Sequence, residues 1–154
     1  MTVHRDFKDM LKCLNAVKAR YLLVGAYAVS AYTEPRYTKD LDIWVDASPD
    51  NAKKVYEALK MFKAPLINVT ENDFSEPGLV YQIGVEPVRI DILMSISGVT
   101  FDSAWKHKTR ESFGDTFAHV IGMDDLIKAK EAASRPKDKI DLKQLKKKKT
   151  IQLK

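Results

Sequence analysis

The residues best placed to do chemistry are three aspartates. Asp40-Leu41-Asp42 puts two carboxylates two positions apart. On a strand, that spacing sends both from one face. Two acids so close repel unless a cation lies between them. Hard divalent cations such as Mg²⁺ take oxygen clusters of this kind and share their shell with substrate phosphates. Arg89-Ile90-Asp91-Ile92-Leu93 supplies a third carboxylate on a second strand, whose other face is Val88, Ile90, Ile92 and Met94. A carboxylate there is costly unless it faces solvent or a cation. If the two strands are neighbours, three carboxylates converge. Two-metal phosphoryl chemistry needs that arrangement: one ion activates an attacking hydroxyl, and both stabilise charge on the leaving oxygen.

The elements that must position these acids follow from periodicity. Phe7, Met10, Leu11, Leu14 and Val17 recur at threes and fours and predict a helix from Arg5 to Arg20. Tyr21 to Val24 reads as a buried strand ending at Gly25, and Ala26 to Tyr32 as a short buried helix. After a loop broken by Pro35, Asp40 to Val45 alternates: Leu41, Ile43 and Val45 fall on one face, Asp40, Asp42 and Trp44 on the other. Ser48 and Pro49 open a helix to about Phe62. Residues 65 to 78 read as irregular. Two strands follow, Leu79 to Val85 and Val88 to Met94, joined at Glu86-Pro87. A connecting segment with a short helical piece leads to a hairpin that turns at Gly114-Asp115. Helices run from Met123 to Ala133 and from Pro136 to about Lys147. This order predicts an α/β (α+β) domain, a short mixed sheet with helices packed on one side plus a small C-terminal helical segment.

Gly25, at a strand-to-helix turn, lets backbone approach a phosphate beside the free amides of the next helix. An apolar strand, Gly25-Ala26, a helix, Arg36-x-Thr38-x-Asp40-x-Asp42 and a distant Asp91 together resemble the DNA polymerase beta-like nucleotidyltransferase superfamily. The stretch 21 to 45 is especially similar to small nucleotidyltransferases related to abortive-infection (type IV toxin–antitoxin) toxins. Residues 130 to 145, with Arg135-Pro136-Lys137-Asp138 and Asp141, look like the helical end of that group. The resemblance implies a nucleotidyltransferase fold that moves a nucleoside monophosphate from an NTP, such as ATP, to a hydroxyl and releases pyrophosphate. It implies two Mg²⁺ ions, with Mn²⁺ as a substitute, on Asp40, Asp42 and Asp91. It assigns Gly25, Ala26, Arg36, Thr38 and Lys137 to the nucleotide, with Asp138 helping to close the helical end. Ala26 departs from the family's usual Gly or Ser, removing a hydroxyl and some backbone freedom.

The 154 residues suit one domain: a catalytic domain over 1–122, a packed helical segment over 123–147 and a basic tail over 148–154. Residues 135 to 154 carry nine basic and two acidic side chains, a net of +7, while the rest nets −2. Such a tail suits RNA, but no aromatics interleave with its lysines for base stacking. The acceptor is open among RNA (a tRNA end), a protein hydroxyl and a small molecule. A module acting through a protein partner, with weak or no catalysis, is the alternative. A lone Cys13 and a charge-interrupted N-terminus point to a cytoplasmic protein with no membrane partner. Cys13 reads as a buried hydrophobe, Trp44 as packing, and Arg89 as an ion-pair partner for a neighbouring carboxylate. His4, His107 and His119 lack metal-site spacing, and no Ser-His-Asp or Cys-His arrangement is present to support nucleophilic hydrolysis.

Overall fold

The computed structural model describes residues 4–33, 39–85 and 87–153, with side chains as far as Lys149. Helix α1 (Arg5–Ala16) stops earlier than its apolar spacing predicts. Lys18 takes a left-handed φ of +56°, and the Ala19 amide bonds back to the Leu14 carbonyl at 3.0 Å. That closure turns the chain into strand β1 (Tyr21–Val24). Helix α2 (Gly25–Tyr32), β2 (Asp40–Val45) and α3 (Pro49–Phe62) follow.

Within the segment read as irregular, a 3₁₀ turn spans Glu71–Ser75, fixed by reciprocal Thr70 and Asp73 capping bonds. Its purpose is packing: Phe74 is fully buried, set edge-on between Tyr56 and Tyr81. Strands β3 (Val80–Val85) and β4 (Val88–Leu93), the short helix α4 (Phe101–Trp105), the β5 (Thr109–Phe113) and β6 (Thr116–Val120) hairpin, α5 (Met123–Ala133) and α6 (Pro136–Leu153) complete the chain. Helix α6 runs on through most of the lysine-rich stretch that the sequence sets apart as a tail.

The six strands lie in the order β3-β4-β2-β1-β6-β5. The sheet is mixed: β2 pairs antiparallel with β1 and parallel with β4, and β1 pairs parallel with β6. This confirms the expected fold class. Tyr21, Leu23, Ile43 and Val45 are buried, and Tyr21 donates from its hydroxyl to Asn15 of α1 at 2.8 Å. Helices α1 and α3 pack together. Asn51 of α3 ties both strand ends, accepting from the Arg20 amide at 2.7 Å and donating to the Arg20 and Asp46 carbonyls at 3.0 and 2.8 Å. Helices α5 and α6 pack on one another and border the carboxylates. No helix among the described residues is long and apolar enough to cross a membrane.

Candidate active site

The register of β2 and β4 decides the site. Asp42 lies opposite Asp91 and Asp40 opposite Arg89, so the two acid-bearing strands are neighbours. One carboxylate oxygen from each of Asp40, Asp42 and Asp91 lies within 4.8 Å of the others. Among the described residues, no other cluster of His, Cys, Asp or Glu gathers in this way. His4 instead caps α1, His107 pairs with Asp125 at 3.2 Å, and His119 packs among aromatic rings. Trp44 is buried edge-on against Phe101, as its packing role requires.

Arg89 is bound into the cluster. Its Nε donates to Asp91 Oδ1 at 3.0 Å, and its Nη2 donates to Asp91 Oδ2 at 3.2 Å and Asp40 Oδ2 at 3.0 Å. Asp42 fares differently. Burial first, then the charges of Asp91 and Asp40 and a hydrogen bond with Asp91, push its carboxyl up to about 6, against a smaller opposing pull from Lys137. The donor set fits a hard divalent cation: three carboxylates, converging and incompletely neutralised.

This raised value has a measurable consequence. Asp42 holds its proton more tightly in the folded chain than in the unfolded one, so its contribution favours folding at low pH and is lost as pH rises through about 6. Metal-free protein is expected to lose stability between roughly pH 4 and 6 from this group. Denaturant midpoints across that range should fall with pH in the wild type and vary less in Asp42→Asn.

Gly25 sits where β1 turns into α2, at φ +67°. A Cβ built there would collide with the Asp42 carboxylate, its Cγ standing at only 3.0 Å. The glycine is thus required twice, for its left-handed backbone and for the room that it leaves Asp42. Gly25→Ala is expected to cost about 1–3 kcal/mol in thermal or chemical unfolding. Ala26 follows on the first turn of α2, where helix amides lack intrahelical acceptors.

The carboxylates, Gly25 and Arg89 form the floor of a cleft of about 480 Å³. Its opposite wall comes from α5, α6 and their junction, including Lys130, Arg135, Lys137 and Asp138. An adjoining hollow brings Ala26 and Lys39 beside Asp40 and Asp42. The structure therefore brings Gly25, Ala26 and Lys137 to the acids. Arg36 and Thr38 lie outside the described residues.

The junction is held by a buried ionic network that the sequence reading did not assemble. Lys130 Nζ lies 3.0 Å from Asp138 Oδ1 and 3.1 Å from Asp141 Oδ2. Arg135 meets Asp138 through Nε at 2.8 Å and through its backbone amide at 3.1 Å. Burial works against a charge on Asp138, but Arg135 and Lys130 outweigh it and hold the carboxyl at about 2. A signal for Lys130 was present: it stands four positions after Leu126, on the helix face meant for the core.

No family model matches the sequence, and no curated relative matches it. Solved structures do. The lincosamide antibiotic adenylyltransferase LnuA, bound to lincomycin, superposes with a TM-score of 0.58 at 16% identity, over 95% of this chain and 98% of that one. A Thermotoga maritima protein assigned to the nucleotidyltransferases superposes with a TM-score of 0.55 at 15% identity, over 96% of this chain and 89% of that one. The chain has the nucleotidyltransferase fold. The likeness extends over nearly the whole length of both pairs of chains. These likenesses carry no information on the toxin–antitoxin side of the sequence resemblance.

Proposed function

We propose that this protein transfers a nucleoside monophosphate from an NTP to a hydroxyl acceptor. The acceptor oxygen forms a bond to the α-phosphorus, the α–β bridging P–O bond breaks, the hydroxyl proton is lost to solvent, and pyrophosphate leaves. The observation that carries this reading is the convergence of Asp40, Asp42 and Asp91 in the cleft of a nucleotidyltransferase fold. Mg²⁺ or Mn²⁺ held by these three would supply neutralisation of the triphosphate and a lowered pKa for the acceptor hydroxyl. The chain's own groups do the rest. Lys137 and Arg135 offer positive charge to phosphates from across the cleft. Gly25 leaves the space in which Asp42 keeps its orientation. Arg36 and Thr38 are assigned the role that the sequence resemblance implies, orienting the phosphates or Asp40.

LnuA, bound to an antibiotic, supports a small hydroxylated molecule as the acceptor. A second reading, an RNA acceptor, is favoured by α6, where Lys139, Lys143, Lys146 and Lys147 are exposed and recur at helical spacings of three, four and seven. The experiment is pyrophosphate release from each of the four NTPs with Mg²⁺, against a panel of hydroxylated small molecules, total RNA and protein. Release with a small molecule or with RNA decides between the two acceptors. NTP binding without release from any acceptor would favour the regulatory module, a reading that Ala26 supports.

A further inference from the structure

Arg89 makes three hydrogen bonds to oxygens that a cation at the triad would use. Both Asp91 oxygens and Asp40 Oδ2 accept from its guanidinium, over 3.0 to 3.2 Å. The arrangement follows from β4 itself: Arg89 and Asp91 are two apart and share a face, and the parallel register puts Asp40 directly across from Arg89. A guanidinium is planar and permanently charged, so it spans two carboxylates as no lysine can. It cannot shed its proton when a second cation arrives. A divalent ion ligated by Asp91 would sit within bonding distance of an oxygen that already faces a unit positive charge, and the two would repel strongly in this half-buried setting. The Arg89 side chain is 28% exposed, so the cleft gives it somewhere to go.

We propose that Arg89 is the counter-ion of the triad in the metal-free protein, and that it yields its carboxylates when a divalent cation binds. Arg89 thereby holds the acids together without metal and sets how tightly metal is taken. The inference rests on the triad being a metal centre, as proposed above.

The test uses the full chain and Mn²⁺ alone. Calorimetric titration of wild type and Arg89→Gln is paired with thermal unfolding in chelator and at saturating Mn²⁺. Arg89→Gln is expected to bind Mn²⁺ about tenfold more tightly, because a competing charge is gone. Its metal-free melting temperature should fall, and its gain on adding Mn²⁺ should exceed that of the wild type. Arg89→Lys, which keeps the charge but bonds to fewer oxygens, should fall between the two and serves if the glutamine variant does not fold. Equal or weaker Mn²⁺ binding by the variants would overturn the proposal alone, since Arg89 would then be aligning Asp40 and Asp91 for the metal. Absence of Mn²⁺ binding by the wild type would overturn the metal centre and this inference with it.

Discussion

Asp42→Asn is expected to abolish nucleotidyl transfer and, in metal-free protein, to raise stability. Both effects come from the same carboxylate. Asp42 is held between Asp40 and Asp91, and burial and their charges push it up to about 6. At neutral pH it is therefore ionised against a cost that folding must carry, roughly 3 kcal/mol as an upper figure and roughly 2 kcal/mol once its partial exposure is allowed for. An asparagine fills the same space without the charge. The metal-free variant should melt about 4–8 °C higher than the wild type at pH 7.5. Turnover should fall by at least about a thousandfold, since a neutral amide is a far poorer partner for a divalent cation than a carboxylate. Pyrophosphate release and a melting curve in chelator, run on the same preparations, check both halves. A variant that loses activity by losing its fold would melt lower; one that stays active would remove Asp42 from the centre.

Lys130→Met is expected to destabilise the protein by about 3–5 kcal/mol, the usual cost of removing one member of a buried ionic network. Its ammonium lies between Asp138 and Asp141, which are 0% and 5% exposed. Methionine matches its length and removes its charge, leaving two buried carboxylates without the ammonium that lies between them. Arg135 still holds Asp138, so the damage should centre on the packing of α6 against α5. Because Arg135 and Lys137 line the cleft from this junction, nucleotide affinity should weaken as well. Denaturant unfolding measures the first effect, and NTP titration below the unfolding transition measures the second. Lys130→Met/Asp141→Leu, which takes out charges of both signs, should recover part of the lost stability.

Much of this was legible in the chain. Alternation in 40 to 45 put Asp40 and Asp42 on one face, and the pattern of 88 to 93 put Arg89 and Asp91 on another. Gly25 at the end of an apolar run marked the turn. These are local signals, because a strand's period and a glycine's freedom depend on nearest neighbours. The end of α1 was misread because Val17 continues the apolar spacing, while the left-handed turn at Lys18 is imposed by the path into β1. The Glu71–Ser75 turn was missed because its stabilising contact is the distant packing of Phe74 between Tyr56 and Tyr81.

The sequence by itself determined which residues are acidic, which face of its own strand each one takes, and that a glycine precedes the short helix beside them. The tertiary structure decided that β4 lies next to β2, in parallel and in the register that sets Asp91 against Asp42 and Arg89 against Asp40. It also decided that α5 and α6 close the cleft through Lys130, Asp138 and Asp141. The reason is physical: strand order and register are set by which faces can be buried together across dozens of residues, whereas alternation along one strand is set by the pleat alone.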